Sequence, residues 1–335
     1  MTPADGENHT PADVALATAR ALVGRLLTIA FLALLVAAVA GLALRYAEVG
    51  RDGRRSAENL ADVLSEYLGI RLAAIDGVLF RVVATSRRIG GPAASEREWS
   101  TALRTATSGV PGIGSIVITN ADGMVTYSTV TIVGESWAAR PIFQKLRDGH
   151  PNLLIADAPF VVGAGNQRLI PFGRALTDAR GEFIGTAVAT LVPGQLEDFY
   201  SAFDLGESGL AWVLLRSGVV LFRAGAAANL ENAAELPALA ADRTAPPEGF
   251  ISGPLGPGGP DYLTAYRKSR IADLVAAVSL PRAQLLSRWR YEALAVAIFI
   301  LAAGLFLFFA RRLIDRAVTG AVEAAGADGK SPDER

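Results

Sequence analysis

The stretch Trp137 to Pro193 organises the chain. It opens Trp137-Ala138-Ala139-Arg140-Pro141-Ile142-Phe143-Gln144, and no break follows Pro141 until Gly149, so a short helix is expected. Next come Leu153-Leu154-Ile155-Ala156-Asp157 and Leu169-Ile170-Pro171-Phe172-Gly173-Arg174-Ala175-Leu176. A turn, Asp178-Ala179-Arg180-Gly181, leads into Glu182 to Val192. These later runs are apolar, short and bounded by Gly, Asp and Pro, so they read as strands of a sheet. Asp178 to Gly181 fits a type I turn with Gly181 in the left-handed region. A short helix crossing an antiparallel sheet, with one arginine at its start, makes a pocket for a small anion.

The 335 residues exceed what one compact domain needs once about 40 are given to membrane spans. A net charge of -1 gives no basic surface for nucleic acid. The absence of cysteine excludes disulfides, thiol catalysis and cysteine-ligated metals. The apolar fraction of 51% is high for a soluble chain and ordinary for one with two spans.

Residues 1–25 read as a disordered tail, rich in Pro, Asp, Thr and Asn up to Arg20. Leu26 to Leu44 carries no charge and matches the roughly 20 residues of a spanning helix. The rival reading is a cleaved leader, since Ala38-Val39-Ala40 resembles a small-residue cleavage site. Ala293 to Ala310 is the second uncharged run, flanked by Trp289, Arg290, Tyr291 and Arg311-Arg312 as interface anchors. Residues 311–335 form a short tail. Two spans put both termini on one side and Arg45 to Tyr291 on the other. Flanking charge does not choose the side, because Arg45, Arg51, Arg54 and Arg55 follow the first span while Arg20 and Arg25 precede it.

After the first span, Arg45 to Ile89 reads as one long helix. Leu60, Val63, Leu64, Tyr67, Leu68, Ile75, Val78, Leu79 and Val82 recur at three- and four-residue spacings as a wide apolar stripe. Gly90-Gly91-Pro92 ends it. The stripe suits packing on the chain's own sheets, and also pairing with a second subunit. Glu96 to Thr107 is a second helix. Gly114 to Thr119 and Met124 to Ser128 are strands joined by Asn120-Ala121-Asp122-Gly123. With the opening stretch they make a PAS-like sheet over residues 108–192. Gly163-Ala164-Gly165 reads as a hairpin, and Pro193 to Asp204 as a helix. Strands at Leu210 to Leu215, Val219 to Arg223, Gly249 to Ser252, Tyr262 to Tyr266 and Leu274 to Leu280 form a second sheet over residues 205–280. A short helix is expected near Ala233 to Ala240, and Pro281 to Tyr291 is helical. The fold class is α+β: two PAS-like antiparallel sheets on a long N-terminal helix, flanked by two transmembrane helices.

This order resembles the double-Cache (PDC-type) sensor domains of bacterial receptors over about residues 45–291. The residues that carry the resemblance are Ala139-Arg140-Pro141-Ile142-Phe143, close to the family's Asp-Arg-Pro-Tyr-Phe, and Ile170 to Asp178. Gly181-Glu182-Phe183-Ile184-Gly185, Phe203 to Gly209 and Ser217-Gly218 add to it. The resemblance implies a domain outside the cytoplasmic (inner) membrane, cytoplasmic termini, and small-molecule binding in the membrane-distal sheet. It implies signalling to kinase, cyclase or chemotaxis modules. No such module follows Arg312 here, so the expectation is a homodimeric sensor without an output domain of its own, working with a separate kinase or cyclase.

The resemblance makes Arg140 the anion contact. The amino-acid-binding branch adds two aromatics after Arg-Pro and acidic residues for the amine. Here those positions read as Ile142 and Phe143, and as Val162 and Ala189, so a carboxylate holder is present and an ammonium holder is missing. The candidate ligand contacts are Arg140, Trp137, Tyr127, Asp157 and Arg174. Arginine offers a planar fork that matches a carboxylate. Trp137 reads equally as core, Asp157 as a cap or turn residue, and Arg174 as a sheet-surface arginine. The expected ligand is a small organic carboxylate; no metal, cofactor or nucleic acid is expected. The only histidines are His9 and His150, and neither His-Glu-x-x-His, Gly-x-Ser-x-Gly nor a phosphate loop occurs, so no enzyme is read here. Two classes stay open: a ligand-sensing receptor part, or a membrane-anchored envelope protein with a degenerate fold.

Overall fold

The computed structural model describes residues 11–110, 112–130, 132–149, 152–162, 167–194, 205–206, 208–225, 245–255 and 259–328, without the side chains of 11–17, 162, 318 and 321–328. The expected helices over 193–204 and 233–240, apart from Pro193 and Gly194, lie outside the described residues. So do the hairpin at 163–165, residues 1–10 and His150. The chain divides into two units, residues 51–285 and the two terminal segments together.

The terminal unit holds the start of α1 (Pro11–Ile89) and the last helix, α5 (Ser287–Asp328). Residues 11–25 were expected as tail and are helical. Proline is tolerated at a helix start because the N–H it lacks has no partner there in any case. Both helices are long and apolar enough to cross a membrane. Leu26, Ile29, Phe299, Leu301 and Phe306 are each more than half exposed, an arrangement that water disfavours and lipid accepts. Phe31 lies against Gly304, where an added Cβ would come within 3.2 Å of its ring. The Trp289 indole N–H donates to the Leu42 carbonyl at 3.0 Å, and Tyr46 meets the Trp289 ring edge-on at 5.3 Å. Arg20 pairs with Asp315.

In residues 51–285, α1 supplies the inner wall of the core. Ala57, Ala61, Leu64, Leu68, Leu72, Ile75, Val78, Leu79 and Val82 are buried at three- and four-residue spacings. Val63, expected in that stripe, points outward and is 46% exposed. Gly90 and Gly91 take φ of 95° and 75°, which only glycine adopts without strain, and they stop the helix. A 3-10 turn (Gly91–Ala93) follows, then α2 (Glu96–Thr107). Ser95 and Glu98 close a capping box at its start, which satisfies two otherwise unpaired N–H groups.

The first sheet is antiparallel, in the order β2-β1-β6-β5-β3, with β4 pairing β5 outside that path. Its strands are β1 (Ile113–Asn120), β2 (Val125–Ser128), β3 (Ile155–Ala156), β4 (Phe160–Val162), β5 (Gln167–Thr177) and β6 (Phe183–Leu191). The strand expected from Leu153 pairs only at Ile155 and Ala156. The β5–β6 turn is as expected. Gly181 N–H donates to Asp178 O at 3.2 Å with φ of 85°, and the Asp178 carboxylate accepts from Arg180 and Glu182 N–H.

The second sheet is antiparallel in the order β8-β7-β11-β10-β9. Its strands are β7 (Leu210–Leu215), β8 (Val220–Ala224), β9 (Glu248–Pro254), β10 (Asp261–Lys268) and β11 (Leu274–Pro281), and α4 (Arg282–Leu285) follows. One face of each sheet packs on α1: Ile116, Ile118, Ile170, Phe172 and Ala187 from the first, and Val213, Phe222, Ala276 and Val278 from the second. Arg267 of β10 pairs with Asp62 of α1 across that seam.

Candidate functional site

The other face of the first sheet carries α3 (Pro141–Asp148). Alternation along the strands decides which residues face it. Ile116 and Ile118 of β1, and Ala187 and Ala189 of β6, face α1. Ser115, Val117 and Thr119 therefore face α3, as do Thr186, Val188 and Thr190. They stand directly opposite one another in register: Ser115 with Thr190, Val117 with Val188, Thr119 with Thr186. Both polar pairs join hydroxyl to hydroxyl at 2.8 Å and are buried, so the sheet floor is polar at two rungs and carries no charge.

Helix α3 buries Ile142, Phe143 and Leu146. Each such side chain contributes roughly 1.5–3 kcal/mol by leaving water. Ile142 and Leu146 join Trp137, Val117, Val125 and Val188 in a second, smaller core, with Phe160 packed against it. The close approach depends on Gly173 of β5, where a Cβ would stand 2.5 Å from Leu146 Cδ1.

Arg140 is the N-cap of α3, with extended backbone (φ -73°, ψ 133°) and no side-chain cap at that end. Its guanidinium carbon lies 4.5 Å from the Trp137 ring centroid and 4.9 Å from that of Phe160. Two aromatic faces thus hold the cation by their ring quadrupoles. The group is partly buried and has no carboxylate or hydrogen-bond partner among the described residues. Trp137 is 1% exposed, and its indole Nε1–H has no partner either. A buried N–H without a partner costs about 1–3 kcal/mol until an acceptor reaches it. A guanidinium without a carboxylate partner and an uncapped helix N-terminus both donate, so the head of α3 suits an acceptor carrying negative charge.

The remaining candidates separate. Asp157 is 5% exposed and lies near α3, but its carboxylate accepts from Lys145 Nζ at 2.7 Å and from Ala158 N–H at 2.8 Å. Arg174 follows Gly173 and therefore faces α1. It makes a two-pronged pair with Asp76 (Nε–Oδ1 2.6 Å, Nη2–Oδ2 2.9 Å) and donates from Nη1 to the Asn152 carbonyl at 2.9 Å. It is a structural clasp away from Arg140. Tyr127 is also on the α1 side, stacked on Trp99 at 6.4 Å. A bulge in β2 explains this: Val125 stands opposite Thr119 and Tyr127 opposite Ile118, with Thr126 as the extra residue, so two residues that simple alternation puts on one face take opposite faces. Ala189, expected at an ammonium position, faces α1 and is buried there. The side chain of Val162 lies outside the described residues. Phe160, Lys145 and the four floor hydroxyls were not foreseen. The signal for the floor was present in the polar residues at every fourth position of β6, Thr186 and Thr190, inside an apolar strand.

The family model for the Cache domain matches residues 46–289. The chain belongs to the Cache domain family. Solved extracellular and ligand-binding domains share its fold. The extracellular domain of the histidine kinase designated rpHK1S-Z16 is 22% identical, with a TM-score of 0.58, over 71% of this chain and 98% of that one. The ligand-binding domain of the Pseudomonas fluorescens chemoreceptor CtaA, in complex with L-isoleucine, is 14% identical with a TM-score of 0.52, over 73% of this chain and 98% of that one. The ligand-binding domain of Mlp24 with asparagine is 14% identical with a TM-score of 0.51, over 73% of this chain and 98% of that one. At these identities the likeness establishes the fold. No curated protein sequence matches the chain. Two helices apolar enough to span a membrane flank the Cache domain.

Proposed function

We propose that this chain is the sensor part of a two-pass receptor of the cytoplasmic membrane, with its Cache domain outside, and that it binds a small organic carboxylate at Arg140. One observation carries this reading: the Arg140 guanidinium is held between Trp137 and Phe160 without a carboxylate partner among the described residues. The unpartnered Trp137 indole N–H supports it. The ligand-binding domains solved with L-isoleucine and with asparagine support a ligand with a carboxylate, since both amino acids carry one. The acid beside α3, Asp157, is neutralised by Lys145, and the sheet floor offers hydroxyls rather than a carboxylate to an ammonium group. An amine buried without a carboxylate is costly, which favours a plain anion over a zwitterion. The chain acts by binding rather than catalysis, as a homodimer, and a separate kinase or cyclase reads it.

Calorimetry on the full chain in detergent micelles tests the site, with acetate, pyruvate, lactate, succinate and the common amino acids as probes. A simple carboxylate should bind. Arg140→Ala should weaken it about tenfold to a hundredfold, the worth of one charge-assisted contact. If only zwitterionic amino acids bind, or the variant binds as well as the parent, the reading is wrong. Silence from every probe would favour a degenerate envelope protein.

A further inference from the structure

A second charged concavity lies on the α1 side of the first sheet, opposite Arg140. The groove between α1 and α2 encloses about 610 Å³. That is within the range of small-molecule clefts, roughly 300–1,000 Å³. Arg81, Thr85 and Arg88 line it from α1, and Arg97, Thr101 and Thr105 from α2. The spacing is helical on both walls, so each set forms one face.

The three guanidiniums are not neutralised. Arg81 donates from Nε and Nη2 to the Ala106 carbonyl, at 3.2 and 2.7 Å, which fixes its direction. Arg88 donates one bond to Thr85 Oγ1 at 3.0 Å. Arg97 has no hydrogen-bond or ion-pair partner among the described residues. The one acid in the lining is Glu98, whose carboxylate is engaged by the Ser95 N–H and hydroxyl and is held below its usual pKa by them. Arg45, Arg54, Arg174, Arg216 and Arg267 each meet a carboxylate, and none of the three in the groove does among the described residues. Three positive groups face one negative group here, in a cleft of ligand size, with threonine hydroxyls between them.

We infer that the α1–α2 groove is a second anion site, which takes a small molecule with two or more negative charges, a polycarboxylate or a phosphomonoester. Planar guanidiniums from two helices match such a ligand, because each can donate two parallel bonds to one carboxylate or phosphate group. A monoanion would leave the second arginine unmatched. The site is independent of the Arg140 reading.

The test uses the full chain in detergent micelles, with citrate and glucose 6-phosphate as probes, acetate as the monoanion and sodium chloride at matched ionic strength. At least one polyanion should bind and raise Tm beyond the chloride control, while acetate should not do so through this groove. Arg88→Ala/Arg97→Ala should weaken polyanion binding at least tenfold, Arg97→Lys should fall between, and Arg140→Ala should leave it unchanged. Both arginines are exposed, so an unchanged ligand-free Tm verifies the fold; the single variant Arg97→Gln serves if the double variant unfolds. Citrate or glucose 6-phosphate binding alone would each support the site and name its ligand class. No binding beyond chloride, binding undiminished by the groove variants, or loss of polyanion binding in Arg140→Ala would overturn it.

Discussion

Replacing Arg174 should cost stability and leave carboxylate binding at Arg140 intact. Its side chain is 12% exposed and that of Asp76 is 26% exposed. The pair holds two short parallel bonds, and a third bond goes to Asn152 O. Removing one partner of a buried ion pair costs about 3–5 kcal/mol, because the other charge is left in poor solvent. Asp76 is a quarter exposed, so water recovers part of that loss, and roughly 2–4 kcal/mol is expected for Arg174→Met. The methionine keeps the apolar stem, so the loss reports the charge. At about 2–4 °C per kcal/mol for a domain of this size, Tm should fall by roughly 4–16 °C. Asp76→Leu should behave alike. The double variant Arg174→Met/Asp76→Leu should recover much of the loss, since an apolar pair often replaces an ion pair at little cost. Urea unfolding of the four proteins gives the coupling energy directly. A loss under about 0.5 kcal/mol, or additive single losses, would refute the clasp. A carboxylate affinity that falls with Arg174→Met at unchanged stability would return Arg174 to the ligand site.

Three further outcomes are expected. Gly185 has φ of 151°, and a Cβ there would lie 1.9 Å from the Thr119 carbonyl oxygen. Gly185→Ala should therefore destabilise by roughly 2–5 kcal/mol, whereas Gly181→Ala, with open space around it, should cost only about 1–2 kcal/mol of backbone strain; equal losses would sink the distinction. Burial raises the pKa of the Tyr262 phenol above its ordinary value near 10. The unfolded chain then releases this proton first, so the contribution is whole below about pH 10 and is lost as pH rises further. Tyr262→Phe should flatten that alkaline loss in urea titrations, and an identical pH profile would speak against it. For the dimer, single cysteines at Val63, Ile70 and Phe80, which are 46%, 63% and 61% exposed on α1, should crosslink between subunits. Cysteines at the buried Leu64, Leu68 and Leu72 should not, and the chain has no native cysteine to confuse the result. Crosslinking without that division would count against pairing along α1.

Local chemistry was enough for much of the fold. The end of α1 is written in Gly90 and Gly91, the start of α2 in Ser95 and Glu98, and the β5–β6 turn in Asp178 and Gly181. Each of these is a bond or a backbone angle within a few residues, so the chain sequence carries it whole. The two apolar runs announce helices long and apolar enough to cross a membrane. Arg140 beside Pro141, at the head of a helix with no side-chain cap, was legible for the same reason.

Which face each side chain takes was a tertiary matter. Tyr127 left the site because one bulge in β2, at Thr126, reverses the alternation of that strand, and bulges have no reliable signature in a single strand. Arg174 left it because Asp76, 98 residues away, lies within reach once β5 packs on α1. Asp157 was taken by Lys145 only when α3 settled over Gly173. Phe160 met Arg140 through the pairing of β4 with β5. The residue types and their order determined that an arginine would stand at the head of a short helix packed on a sheet. Packing alone decided what surrounds that arginine, because contacts between distant segments depend on strand register and on which of two faces each residue occupies.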